Sequence, residues 1–102
     1  MSRKYDITAT CYDKKGRVLS VGKNSYTKTH PMQAHFAKQV GMHERTFLHA
    51  EVMALLRAGD KRVHSIKIER YARDGKPMNA SPCPICQKAI KVWGVKEITF
   101  TL

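Results

Sequence analysis

Two short motifs constrain this chain more than any other feature. The first is His49-Ala50-Glu51, and the second is Pro82-Cys83-Pro84-Ile85-Cys86. Together they supply one imidazole and two thiols, which are zinc ligands, and one carboxylate that zinc does not need as a ligand. A tetrahedral zinc ion with three protein ligands keeps its fourth position for water, as catalytic sites do. The fold is therefore expected to bring both motifs to one metal ion.

The spacing within each motif restricts where it can lie. Cys83 and Cys86 are three residues apart, so they share one face of a helix. At the start of that helix, unpaired N–H groups and the helix dipole favour thiolates, the form that binds zinc. His49 and Glu51 are two residues apart and do not share a helical face. They can converge only if His49 lies at or just before the first turn of its helix.

The whole chain, residues 1–102, predicts a single α/β domain in which helices cover a sheet. Strand-forming runs, turns and helical periodicity alternate without a repeat or a linker. Ser81 is the expected N-cap of the last helix, and Pro82 its first residue. The predicted order is β-β-α-α-β-α-β, with elements at Asp6–Tyr12, Arg17–Gly22, Met32–Val40, Phe47–Ala58, Val63–Tyr71, Ser81–Trp93 and Lys96–Leu102.

Charge is the second strong feature of the sequence. Nineteen Lys and Arg stand against 8 Asp and Glu, which gives a net charge of +11. Such a charge favours a polyanionic partner, most simply single-stranded nucleic acid, because phosphate neutralisation dominates that binding. The alternative is a like-charged surface that keeps a globular protein soluble. A nucleotide monophosphate would need only one or two of these cations.

Composition excludes several other classes of protein. No apolar run approaches the roughly 18 residues of a membrane span, and the N-terminus lacks the apolar segment of a signal peptide. Three cysteines cannot form a fully paired disulfide set. If Cys83 and Cys86 bind metal, Cys11 remains a free thiol, and we expect it to be a small core residue of a strand. This cysteine usage is typical of a reducing cytoplasm.

A structural zinc site is the main alternative interpretation of the two motifs. Such a site normally has four protein ligands, and no fourth ligand stands near either motif in the sequence. A fourth ligand from elsewhere in the chain would overturn the catalytic interpretation. The histidines to consider are His30, His35, His43 and His64.

The two motifs match the H-x-E and P-C-x-x-C signature of zinc-dependent nucleobase deaminases. Over nearly its whole length, the chain resembles the cytidine deaminase-like superfamily. The resemblance implies a three-layer-type α/β fold with a mixed sheet of about four strands and three helices. It also implies that His49, Cys83 and Cys86 bind Zn²⁺ and that Glu51 moves the protons of a hydrolytic deamination.

The resemblance further implies a set of substrate contacts. Asn24 matches an asparagine that follows the second strand in many members and contacts the sugar or the base. The Thr27–Pro31 loop, which includes His30, resembles the stretch that lines the pocket entrance. Ala50 of the first motif and Tyr26, an aromatic residue able to stack on a base, complete the assigned set.

The segment around the second motif indicates a branch of the superfamily. Pro82–Ile90 looks like deoxycytidylate deaminases, and Ser81-Pro82-Cys83 with Gln87 also looks like free cytidine deaminases. Both resemblances indicate cytosine. The tryptophan of APOBEC-type enzymes and the Glu-Pro-Cys of tRNA adenosine deaminases are absent. The chain ends after the strand that follows the last helix, as in a minimal member of the type that bacteriophages often carry. A second copy in a homo-oligomer could cover the sheet edge left exposed there.

We therefore expect zinc-dependent deamination of cytosine to uracil in the cytoplasm, or in the host cytoplasm if a phage encodes the chain. Single-stranded DNA or RNA is the favoured substrate because of the +11 charge. Deamination of free dCMP or deoxycytidine is the first alternative. An adenosine deaminase acting on RNA and an inert binding module are the others. The intact Glu51 argues against a binding module, because binding alone requires no proton shuttle.

Overall fold

A computed structural model of the chain describes residues 5–24, 29–41, 49–59, 61–72 and 74–102. The elements are β1 (Tyr5–Tyr12), β2 (Val18–Lys23), α1 (Pro31–Gln39), α2 (Ala50–Ala58), β3 (Ser65–Ala72), α3 (Pro84–Val92) and β4 (Glu97–Phe100). This order confirms the predicted β-β-α-α-β-α-β arrangement. Each helix of the described chain has nine residues, and none is long and apolar enough to cross a membrane.

The four strands form one mixed sheet in the order β2-β1-β3-β4. Strand β1 pairs antiparallel with both β2 and β3, whereas β3 and β4 are parallel. A tight turn joins β1 to β2, in which Gly16 has a φ of 83° and the Asp13 carboxylate accepts the backbone N–H groups of Lys15 and Arg17. The parallel pair needs a crossover, and α3 provides it.

One face of the sheet carries the hydrophobic core. Ala9 and Cys11 of β1 pair with Ile68 and Ile66 of β3, and all four side chains are buried. The prediction that Cys11 is a small core residue is therefore confirmed. All three helices bury side chains in the same core, chiefly Phe36, Ala37, Val52, Leu55, Ile85, Ala89 and Ile90. The described helices thus cover one face of the sheet, while Lys67 between Ile66 and Ile68 is exposed on the other face.

The predicted beginning of the third helix is wrong. Helix α3 begins at Pro84, and its N-cap is Cys83 with φ −69° and ψ 168°, not Ser81. A residue that precedes proline is confined to extended backbone conformations, so Cys83 cannot continue a helix that begins earlier. The preference of proline for the first helical position is therefore met by Pro84 and not by Pro82. Instead, the Ser81 N–H donates to the side chain of Asn79 at 2.9 Å.

Helix α2 lies directly on β2, at a position where the strand has no side chain. A Cβ atom on Gly22 would lie 2.5 Å from the backbone nitrogen of Ala54 and also against the carbonyl oxygen of Ala50. Nearby, the Ser20 hydroxyl donates to the Ala54 carbonyl at 2.6 Å. This close approach fixes the first turn of α2, and with it the adjacent His49, relative to the sheet.

We predict that Gly22→Ala lowers the free energy of unfolding by about 1–3 kcal/mol, the usual cost of overpacking a close contact. Urea unfolding followed by circular dichroism measures this change. The matched control is Val21→Thr, at a neighbouring position that is 39% exposed, which should change stability by less than about 0.5 kcal/mol. Equal stabilities of the two variants would contradict the close packing of α2 on β2.

Candidate metal centre

Three side chains from the two motifs converge at one point. Nδ1 of His49 lies 3.3 Å from Sγ of Cys86 and 3.5 Å from Sγ of Cys83, and the three donor atoms lie within 4.8 Å of one another. A tetrahedral zinc ion with Zn–N of about 2.0–2.1 Å and Zn–S of about 2.3 Å requires N···S separations of about 3.6 Å. The donor set therefore fits one zinc ion. It is the only such group in the described part of the chain.

The N-terminal ends of α2 and α3 bring these donors together. His49 is the N-cap of α2, and Cys83 is the N-cap of α3. Cys86 lies in the first turn of α3 and is fully buried. The predicted helix Phe47–Ala58 would have placed His49 inside the helix; instead, α2 begins at Ala50, and His49 has an extended backbone with φ −82° and ψ 155°. His49 thus lies just before the first turn, which is the position that its convergence with Glu51 requires. Unpaired N–H groups and the positive ends of both helix dipoles thus surround the two thiols, an environment that favours thiolates.

Other histidines of the described chain do not join this group. His30 accepts a backbone hydrogen bond at the start of α1, and His35 forms a hydrogen bond within α1. His64 lies near the first residue of β4, within 3.7 Å of a carboxylate oxygen of Glu97. His43 falls outside the described residues. Within those residues the protein donors number three, which is the ligand count of a catalytic zinc site.

Gln33 is a site residue that the sequence did not reveal. It lies in α1, is fully buried, and its Oε1 accepts the backbone N–H of His49 at 3.2 Å. This hydrogen bond fixes the backbone at the N-cap of α2 and therefore the origin of the His49 side chain. No local pattern marks Gln33, because its partner is distant in the sequence and is brought to it by the packing of α1.

The two thiols differ sharply in acidity in the absence of metal. A hydrogen bond from Cys86 is the main cause that lowers the pKa of Cys83 to about 4; a hydrogen bond with His49 adds to the effect, and burial opposes it. Cys86 donates its S–H to Cys83, and this hydrogen bond together with burial raises the pKa of Cys86 well above its ordinary value. Cys83 is thus the more acidic thiol of the pair, and Cys86 is the hydrogen-bond donor. Binding of a metal cation by both residues would release the remaining thiol protons, because thiolate is the ligating form.

Glu51 lies beside the donor set without belonging to it. Its side chain is in the first turn of α2 and is only 6% exposed. Burial raises the pKa of this carboxyl above its usual range, although a hydrogen bond with Cys86 and the charge of His49 act in the opposite direction. A raised pKa makes a carboxyl group a better proton acceptor, which suits a residue that transfers protons.

The residues predicted to contact the substrate differ in burial and in hydrogen bonding. The half-buried Asn24 prolongs the β1–β2 pairing: its Oδ1 accepts the N–H of Ile7 at 3.1 Å, and its own N–H donates to the Ile7 carbonyl at 3.2 Å. His30 uses Nδ1 to cap α1, which leaves Nε2 for other contacts. The Ala50 side chain is fully buried, so only its backbone could touch a ligand. Tyr26 lies outside the described residues. Roles of these residues toward a substrate stay predictions.

Comparison with known proteins identifies the family. A family model described as the cytidine and deoxycytidylate deaminase zinc-binding region matches residues 2–102. The chain belongs to this family. Its zinc-binding region and the His-Cys-Cys donor set together identify Zn²⁺ as the cofactor.

Solved structures of other proteins share the fold of this chain. They include cytidine deaminase from Mycobacterium tuberculosis and a glutamate-to-glutamine mutant of it, each with a TM-score of 0.50 and 20% identity. Each match covers 93% of this chain but 66% of the other, so this chain spans slightly less than two thirds of their length. The likeness confirms the predicted cytidine deaminase-like fold. No curated protein matches the chain.

We predict that Gln33→Met weakens zinc binding about tenfold, because loss of a group that orients a metal ligand typically costs 10–100-fold in affinity. Competition with a zinc-binding dye measures the dissociation constant. Gln39→Met, an exposed substitution in the same helix, is the matched control and should leave zinc affinity unchanged. Wild-type affinity in the Gln33 variant would show that the hydrogen bond to His49 does not position this residue.

We also predict that iodoacetamide alkylates Cys83 first in the zinc-stripped protein. Because the pKa of Cys83 is about 4, its rate should be nearly constant between about pH 6 and 8. An ordinary thiol would instead react about tenfold faster for each pH unit over this range. Peptide mass spectrometry measures each rate, with the buried Cys11 as the slow reference. A Cys83 rate that rises steeply up to pH 8 would contradict a preformed thiolate.

Proposed function

We propose that the protein catalyses zinc-dependent hydrolytic deamination of cytosine to uracil, with single-stranded DNA or RNA as its favoured substrate. The observation that carries this proposal is the convergence of His49, Cys83 and Cys86 beside the buried carboxyl of Glu51. In this proposal the first three residues hold Zn²⁺, and Glu51 transfers protons. Membership of a deaminase family supports the same assignment.

The proposed reaction adds one water molecule to cytosine and releases ammonia. Zinc, when bound, supplies a Lewis acid that lowers the pKa of a coordinated water towards about 7. Glu51 accepts a proton from the water, delivers it to the ring nitrogen and then assists protonation of the departing amine. The oxygen of the water replaces the amino group at C4 of the ring. Burial of Glu51 supports this role, because it raises the pKa of the carboxyl above its ordinary value and so makes the group a better proton acceptor.

Charge supports a polynucleotide as the substrate. The net charge is +11 on 102 residues, far more than one nucleotide phosphate requires. Counterion release from phosphates would make binding of a polynucleotide strongly salt-dependent. The alternative substrate is free deoxycytidylate or a cytosine nucleoside, which the family description and the names of the structural neighbours favour. Binding of such a small substrate would depend much less on salt.

We predict that Glu51→Ala keeps zinc and lowers kcat at least about 100-fold, because general acid–base groups typically contribute 10²–10⁴-fold to the rate. Atomic absorption gives the zinc content, and uracil release gives the rate. Glu69→Ala, on β3 and outside the metal centre, is the matched control and should retain both properties. Wild-type turnover by the Glu51 variant would rule out this proton-transfer mechanism.

The substrate class is tested with the zinc-loaded protein on a cytosine-containing single-stranded oligonucleotide and on dCMP in parallel. We expect uracil formation in the oligonucleotide, with kcat/KM falling steeply between about 50 and 200 mM salt. Turnover of dCMP alone, with little salt dependence, would instead favour an enzyme of nucleotide metabolism. Failure of both substrates would contradict the proposed activity on cytosine.

A further inference from the structure

A second concave site lies at the opposite end of the sheet from the metal centre. It forms where the β1–β2 turn meets the segments that precede β3 and β4, and its volume is about 670 Å³. This volume is within the range of ligand sites in proteins. We call it the basic cleft, because five cationic side chains line it: Lys14, Lys15, Arg17, Arg62 and Lys96.

The basic cleft is spatially separate from the metal centre. Helices α2 and α3 both begin at that centre, where His49 and Cys83 are their N-caps. Both helices run towards the cleft, and their C-terminal ends are followed by cleft residues, Arg62 after α2 and Gly94 after α3. Nine helical residues span about 14 Å. A ligand of the cleft would therefore leave the metal centre accessible.

Within the described residues, most of the positive charge in the cleft has no carboxylate partner. The lining contains five Lys and Arg residues and one carboxylate, that of Asp13. Asp13 is already engaged, since it accepts Arg17 Nε at 2.8 Å and two backbone N–H groups of the turn. No described carboxylate forms an ion pair with the other four cations. The turn thus holds the Arg17 side chain in place, and most of the cleft charge is left without a described carboxylate partner.

Helix ends alone do not account for this clustering. Cations are common near helix C-termini because the dipole there is negative, which would explain Arg62 after α2. Lys14, Lys15 and Arg17 lie in a hairpin turn of the sheet and gain nothing from a helix end. Three segments distant in sequence therefore bring like charges to one concave surface. Unless an anion binds there, this arrangement is repulsive.

We propose that the basic cleft binds consecutive phosphate groups, either of a nucleic acid backbone or of a free polyphosphate. Arg17, held by Asp13, presents a planar guanidinium, and the lysines add charge on both sides. Val63, His64 and Gly94 complete the lining, in which the described chain places no Phe, Tyr or Trp. Because Lys and Arg predominate and the imidazole of His64 is the one ring described in the lining, we expect binding to be directed at phosphates more than at bases. The proposal holds whether or not the protein deaminates cytosine.

Two matched variants test the contribution of the cleft to phosphate binding. Lys15→Gln/Arg62→Gln removes two cleft charges, and Lys38→Gln/Lys67→Gln removes two exposed charges elsewhere. The probe is a fluorescent oligothymidylate of about 20 nucleotides, which offers phosphates but no cytosine, and anisotropy is measured over a salt series with zinc-loaded protein. We expect the cleft variant to bind at least about tenfold more weakly, with a salt slope reduced by about two. Equal weakening in both variants would overturn the proposal.

Amide chemical shifts of the isotope-labelled wild-type protein locate the site without any variant. Titration with the oligothymidylate should shift the resonances of residues 13–17, 61–64 and 94–96. Shifts confined to the residues around the metal centre would overturn the proposal. Because neither probe nor readout involves turnover, failure here is distinguishable from failure of the proposed deaminase activity.

Inorganic tripolyphosphate, titrated in the same way, distinguishes the two sources of phosphate. Binding of the oligonucleotide but not of tripolyphosphate at about 0.15 M salt identifies a nucleic acid backbone as the occupant. Binding of tripolyphosphate that is lost in the cleft variant identifies a free polyphosphate. Absence of binding by both probes would overturn the proposal.

Discussion

The meeting of two helix N-termini is the constraint on which the rest of this structure depends. Three donor atoms have to lie within 4.8 Å of one another, although they come from helices far apart in the sequence. Such an arrangement places polar and ionisable groups in a buried region, where each requires a partner. Gly22 allows α2 to approach the sheet, and Gln33 satisfies the backbone at His49. Contacts within the fold therefore position the donor atoms of the site.

Helix polarity gives the molecule two electrostatically different ends. The N-termini of α2 and α3 stabilise negative charge, and the thiols and the carboxyl of the motifs lie there. The C-termini of the same helices point towards the basic cleft, where cations predominate. Helices α2 and α3 run in the same direction, from the metal centre to the basic cleft. The end with the helix N-termini suits a metal cation held by anionic ligands, and the other end suits phosphates. Polarity of this kind follows from backbone geometry, whichever ligand the cleft binds.

Most of the fold could be predicted from local patterns, because its elements are short and clearly bounded. Alternating strand residues, helical periodicity and the turn signals between them predicted every element in its correct order. Boundaries were less predictable where two rules competed. Ser81-Pro82 has the usual features of a helix start, yet Pro84 keeps the preceding Cys83 extended and moves the start of α3. The predicted metal ligands are unaffected by this shift, because Cys83 and Cys86 still lie together at the beginning of the helix.

The sequence by itself determined the chemical groups of the site, the order of the elements and the sign of the surface charge. These properties depend on residue types and local spacing, which the chain carries whether folded or not. Three features were decided only by the tertiary structure. The Gln33 side chain accepts a hydrogen bond from the backbone of His49, and α2 packs closely against Gly22. Cations from separate segments line one cleft. Each of these depends on contacts between residues distant in the chain, and no local pattern records such contacts. Packing of the helices on the sheet creates them.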